Sequence, residues 1–240
     1  MGQSGKEKPV GQPEETLAGI ELFKSLRPSY LETLAERCRW RRYAAGSEVV
    51  SYQDETREVY FIVTGEVRVT IHSLSGKQVT FADYGTGEMF GELAAIDGQP
   101  RSASVVAQTH SLIASMSAKV FWEVLRNYPE VSASALKHLT TNLRATTARL
   151  FEFSTLAVKN RIHAELLRLA RNNMRDDNTA VILRPPTHQT MASRLSASRE
   201  AVTREFNDLH RTGLVERQGR SLVIHDVSRL AAMVQRDLGH

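Results

Sequence analysis

Between Cys38 and about Met116 the sequence is a succession of short β-type runs: Glu48-Val49-Val50, Val59-Tyr60-Phe61-Ile62-Val63, Val67-Arg68-Val69-Thr70-Ile71, Val79-Thr80-Phe81 and Leu112-Ile113. Turn signals separate them at Ala44-Ala45-Gly46, Thr64-Gly65, Ser75-Gly76 and Asp97-Gly98. Many short strands at this spacing predict a barrel or a double-sheet roll.

Helical patterns flank this segment. Leu17, Ile20, Leu22, Phe23, Leu26, Leu31 and Leu34 have helical spacing over residues 16–37, with Pro28 suited to open a second short helix. Residues 1–15, rich in Gly, Pro, Gln and charge, have almost nothing to bury and read as a disordered tail. Beyond the strands, Pro129 opens a long helix running to about Ala157. Along it Leu136, Leu143, Leu150 and Ala157 fall seven apart, and Leu139, Thr146 and Phe153 each fall three after one of the first three. That is an a/d seam of about three heptads, read as a dimer surface in preference to a helix packed on its own domain. A helix from Val158 to Asn172, a polar loop and a helix–helix–hairpin segment follow. The expected organisation is therefore α+β: a tail at 1–15, a β-roll domain at 16–128, a dimerisation helix at 129–157 and a second domain at 158–240.

The chain has 240 residues, long enough for two cores, and a formal net charge of +4. Residues 158–240 hold 14 Lys and Arg against 9 Asp and Glu, net +5, leaving −1 for residues 1–157. A basic second half suggests a polyanionic partner, although a solvated basic face is equally common. The single cysteine, Cys38, excludes a disulfide framework, a four-cysteine zinc site and a cysteine-held iron–sulfur cluster. The eight histidines form no recognisable ligand set, so no metal is expected. Charges interrupt every long apolar stretch and no leader pattern stands at the start, so no membrane association is expected and the cytoplasm is the expected compartment.

Two motifs carry chemistry. The first is Phe90-Gly91-Glu92-Leu93-Ala94-Ala95-Ile96-Asp97-Gly98-Gln99-Pro100-Arg101-Ser102-Ala103-Ser104-Val105. Backbone amides freed by Gly91 and by the turn before Arg101 can cradle an anion, and Arg101 supplies a bidentate charge for a buried phosphate. Glu92, an acceptor when ionised, can take a hydrogen bond from a ribose hydroxyl. Separately these signals are weak, because a Gly in a turn is usually only a turn and a lone Arg is usually solvated.

The second runs from Thr187 to Arg204. Thr187 can cap one helix, Ala192 is small enough for a second helix to cross close by, and Ser198 can cap that second helix. Met191, Leu195, Val202 and Phe206 are spaced to pack the pair. This is a helix-turn-helix whose second helix would present Arg199, Glu200 and Arg204 to the major groove, Arg suiting guanine and Glu suiting cytosine N4. The bland alternative is an exposed helix with an i,i+4 pair between Glu200 and Arg204. Leu214 to Ile224 reads as two strands around Gly219, a wing.

The order of residues in the first motif resembles the phosphate-binding cassette of cyclic-nucleotide-binding domains: Gly91, Glu92, Leu93 and Ala94, then Arg101, Ser102 and Ala103. Cassette, long helix and winged helix-turn-helix together resemble the Crp–Fnr family of bacterial transcription regulators over about residues 17–226, closest to its cyclic-AMP receptor type. The resemblance implies that Glu92 holds the ribose 2′-hydroxyl, that Arg101 with Ser102 and Ala103 holds the cyclic phosphate, and that Gly91 and Leu93 contribute backbone. It also implies that Thr146 and Thr147 reach the adenine from the long helix; alternatively they bond back to their own helix. On the DNA side it implies roles for Gln189, Ser198, Arg199, Glu200 and Arg204. The implied ligand is cyclic AMP, with cyclic GMP as the alternative. The implied partners are a second copy of the chain, double-stranded DNA and RNA polymerase. A cyclic-nucleotide-sensing module acting on a protein partner is the competing reading, and no nucleophile–base pair or Walker loop suggests an enzyme. Three positions depart from the family pattern: Ser196 where relatives often have Gly, Ala201 where a hydroxyl is frequent, and Ala157 where an Asp often caps the next helix. The last leaves that cap to Ser154 or Thr155.

Overall fold

A computed structural model of the chain describes residues 16–72 and 78–238, with side chains to 236. The expected tail at 1–15 and the Ser75-Gly76 turn lie outside the described residues. The described residues divide into two compact units, 16–71 with 81–139, and 72 and 78–80 with 140–238.

The first unit begins with a 3₁₀ turn at Glu21–Phe23 and helix α1 (Pro28–Ala35). The helical spacing over 16–37 is broken between them, because Pro28 forces Arg27 into an extended conformation (ψ 144°) while itself fitting the first helical position. Eight strands follow: β1 (Arg39–Tyr43), β2 (Glu48–Val50), β3 (Val59–Thr64), β4 (Glu66–His72), β5 (Gln78–Gly85), β6 (Met89–Phe90), β7 (Ser104–Ala107) and β8 (Ser111–Met116). They form two four-stranded sheets in the orders β1-β8-β3-β6 and β2-β7-β4-β5, the double-sheet roll expected from the sequence. Period two explains why β3 and β8 are apolar on both faces. Phe61, Ala114 and Met116 enter a core with the helices around Phe23 and Phe121, whereas Ile62 and Ile113 enter a second core with Val67, Phe90 and Val105. A short helix α2 (Glu92–Asp97) sits between β6 and β7, and α3 (Ala118–Asn127) starts at Ser117, whose hydroxyl accepts from Val120 N.

Helix α4 (Pro129–Thr155) is the long helix, ending two residues before the expected Ala157. Its seam is solvent-facing: Leu136, Leu143 and Leu150 are 65%, 66% and 66% exposed. The next helix, α5 (Val158–Arg171), has Ala157 at its cap position with no side-chain bond. This corrects the expectation that Ser154 or Thr155 would supply the cap. Both remain inside α4, where their hydroxyls donate to Leu150 O and Phe151 O of the preceding turn.

In the second unit α5 is followed by β9 (Ala180–Ile182), α6 (His188–Leu195), α7 (Arg199–Arg211), β10 (Val215–Gln218), β11 (Ser221–Ile224) and α8 (Val227–Leu238). The sheet order is β10-β11-β9, so the wing hairpin gains a third strand. Ile162, Leu166, Met191, Leu195, Val202, Leu209, Ile224 and Leu230 make one core. Among the described residues no helix is long and apolar enough to cross a membrane.

Candidate functional site

Gly91 is the residue on which the first site turns. It precedes α2 with φ 80° and ψ 7°, the left-handed region open to glycine. A Cβ here would lie 2.7 Å from Arg101 Nη1 and 3.1 Å from both Glu58 O and Tyr60 Cδ2. Glycine therefore supplies both the turn and the space through which Arg101 passes.

Arg101 is 2% exposed. Its Nε donates to Thr56 Oγ1 (3.1 Å), Nη1 to Gly91 O (2.9 Å) and Nη2 to Glu58 O (2.9 Å). Its guanidinium carbon stands 5.3 Å from the centroid of Tyr60, a ring that stacks on Phe90 at 4.9 Å and 6°. A guanidinium has five N–H groups, so two stand outside these three hydrogen bonds. Glu92, 7% exposed, begins α2. Burial pushes its carboxyl above the ordinary value, against the pull of its backbone hydrogen bond and of Arg101. His138 Nε2, on α4, is 4.0 Å from Glu92 Oε1.

Gly91, Glu92, Leu93, Arg101, Ser102 and Ala103 all line one cavity of about 90 Å3, with Val50, Val69 and Tyr84 among its apolar walls. The structure thus brings the six cassette residues together. Thr146 and Thr147 stand on α4 in the second unit, both exposed, and donate to Asn142 O and Leu143 O at 2.9 Å each. Sequence reasoning missed Thr56, Glu58 and Tyr60, which fix Arg101 from 41 to 45 positions upstream. Only the β-type run containing Tyr60 hinted at them.

In the second unit Thr187 caps α6 by accepting from Thr190 N at 3.1 Å, and Ser198 caps α7 by accepting from Ala201 N at 3.1 Å. The turn residue Ser196 has φ 48°. Met191, Leu195 and Val202 are buried between the helices, and Phe206 packs at their edge. Gln189, Ser198, Arg199, Glu200 and Arg204 are all exposed. Hydrogen bonds from its own backbone N–H and from Ser198 hold Glu200 below the ordinary carboxylate value, with Arg199 and Arg204 adding smaller pulls. Ser198 thus serves the helix start while leaving an ionised acceptor and two cations outward. Behind α7, His163 Nε2 meets Glu205 Oε1 at 2.6 Å in a buried contact between α5 and α7, another feature the sequence did not disclose.

Comparison with known proteins agrees with both halves. Residues 40–128 match the cyclic nucleotide-binding domain family and residues 160–233 match the Crp-like helix-turn-helix domain family. The CRP-like cAMP-activated global transcriptional regulator of Mycobacterium tuberculosis is 27% identical over 219 residues, covering 91% of this chain and 98% of that protein. The cAMP-activated global transcriptional regulator Vfr of Pseudomonas aeruginosa is 27% identical over 199 residues, covering 81% and 93%. Among solved structures, a CooA variant from Carboxydothermus hydrogenoformans shares the fold with a TM-score of 0.78 at 19% identity, covering 89% of this chain and 94% of that one. A buried Gly–Glu–Arg cradle and a capped helix-turn-helix with a wing, matched in this order, make the chain a member of the Crp–Fnr family, a cyclic-nucleotide-binding and DNA-binding transcription regulator rather than an enzyme.

Proposed function

We propose that the protein is a homodimer that binds cyclic AMP and then a near-palindromic DNA site, where it meets RNA polymerase. The observation that carries the ligand is Arg101: a buried guanidinium with three N–H groups committed to protein and two left, beside a carboxylate that burial destabilises. A cyclic phosphate takes the two N–H groups, aided by Ser102, Ala103 and the backbone at Gly91 and Leu93. The ribose 2′-hydroxyl donates to Glu92. The cavity of about 90 Å3 is smaller than the ~300–1,000 Å3 usual for small-molecule sites, so it suits phosphate and ribose and leaves the base to other residues.

That role falls to Thr146 and Thr147. Each hydroxyl has its proton committed to its own helix and offers lone pairs outward, which suits the donor amine of adenine and would also accept from the N1–H and N2 amine of guanine. The exposed leucine seam of α4 supports pairing with a second copy, and Gln189, Ser198, Arg199, Glu200 and Arg204 form the DNA-reading set. The relatives carrying cyclic AMP in their names support the same ligand.

Calorimetric titration with both nucleotides tests the reading. Cyclic AMP binds more tightly than cyclic GMP, and Arg101→Ala in a folded protein loses ~2–5 kcal/mol of affinity through the missing charge-assisted contact. Near-wild-type affinity in that variant contradicts the site.

A further inference from the structure

The nucleotide reading leaves Glu58 unexplained. Its carbonyl holds Arg101, but its side chain does something different. Glu58 Oε2 lies 3.7 Å from Arg101 Nη2, beyond hydrogen-bond reach, and is buried without a hydrogen-bond partner. The groups that do accept from Arg101, namely Thr56 Oγ1 and the carbonyls of Gly91 and Glu58, are neutral. Among the described residues Glu58 is the one carboxylate within ion-pair distance of this cation.

A cyclic phosphate on Arg101 brings a second anion to the same guanidinium. At an effective dielectric near 20, two like charges ~6 Å apart repel by an amount that materially changes affinity. Glu58 has somewhere to go. Its side chain is 35% exposed, against 3% for Arg101. It lines a separate cavity of about 350 Å3 together with Arg39, Arg41, Tyr43 and Ser115. Arg39 and Arg41 are two apart on the edge strand β1, so they share a face, and both are exposed. Only the carboxylate needs to move, because the backbone contact from Glu58 O to Arg101 is independent of the side-chain rotamer.

We propose that Glu58 is a built-in competitor for the phosphate: its carboxylate stands beside Arg101, and nucleotide binding displaces it toward Arg39 and Arg41 on β1. This rests on the assignment of the cyclic phosphate to Arg101 and adds a regulatory element to that site. It makes the charge on the edge strand respond to occupancy, since a carboxylate joins two arginines there only when ligand is bound.

The test is calorimetric affinity for cyclic AMP across a double-mutant cycle. Glu58→Gln keeps the shape and the backbone carbonyl while removing the charge, and it binds about tenfold more tightly than wild type at low salt. The advantage shrinks as added salt screens the repulsion, a response that a purely structural role would not produce. Arg39→Ala with Arg41→Ala weakens binding when Glu58 is present and has no effect in the Glu58→Gln background. Equal or weaker binding by folded Glu58→Gln overturns the proposal, as does an arginine effect that persists without the Glu58 charge. A wild type that binds neither cyclic nucleotide contradicts the proposed function itself, and the competitor with it, whereas a wild type that binds leaves the two questions separate.

Discussion

Glu92 shows how function and stability oppose each other at a single residue. Burial raises its carboxyl pKa, so the folded protein favours the protonated form more than the unfolded chain does. The destabilising contribution is therefore absent below the unfolded value and fully present above the raised folded value. Glu92→Gln is expected to stabilise the empty protein at neutral pH, read as a higher melting temperature, while weakening nucleotide binding. The proposed ligand follows the same sign. If ionised Glu92 accepts from the 2′-hydroxyl as proposed, affinity for cyclic AMP should fall as pH drops through that raised value, and a 2′-deoxy analogue should bind weakly with no such dependence. A deoxy analogue with the same pH profile would remove Glu92 from the ribose role. Residue identity at this site was readable because Gly91, Glu92, Arg101, Ser102 and Ala103 lie within 13 consecutive positions. Thr56, Glu58 and Tyr60 were not, because backbone hydrogen bonds between two loops distant in sequence, Gln53 N to Arg101 O and Arg101 N to Asp54 O, bring that segment beside Arg101 and leave no local spacing to detect.

At the scale of elements, α4 carries the dimer expectation. Leu136, Leu143 and Leu150 are about two-thirds exposed in a single chain, and a leucine gains ~1.5–3 kcal/mol on full burial. Leu143→Ala removes that gain from both subunits, so sedimentation should show the dimer dissociating at much higher protein concentration than wild type; an unchanged dimer would place the interface elsewhere. The turn between α6 and α7 gives a second prediction. Ser196 holds φ 48°, where a side chain crowds the backbone, so Ser196→Gly should stabilise the second unit by ~0.5–1 kcal/mol in a denaturant titration. A loss of stability would mean that the Ser196 side chain makes a contribution larger than this strain.

Element type followed from periodicity where burial was one-sided or complete, as in β3, β8 and the two helices of the motif, and in α4 from a leucine repeat that the single chain leaves exposed. It failed for β1, whose Arg39, Arg41 and Arg42 are exposed on an edge strand, so the sequence Arg39-Trp40-Arg41-Arg42-Tyr43 lacks a strand's apolar signature. It also passed over β9, three residues whose pairing with β11 is set by the tertiary fold, and α8, beyond the wing.

For the whole molecule, the proposed function requires that ligand occupancy be linked to DNA reading. A two-fold dimer presents two copies of α7, and successive major grooves accept them only at a separation of about one helical turn. Nucleotide acts if it binds more tightly to the arrangement with that separation than to the alternative. Thr146 and Thr147, standing on the same helix as the seam, are the residues proposed to give the base this preference. The most direct measurement is selection of binding sites from random duplex DNA, with and without cyclic AMP. Selected sites should be near-palindromes with half-sites about one turn apart, enriched only when nucleotide is present. Sites without two-fold symmetry, or equal enrichment in its absence, would contradict the account.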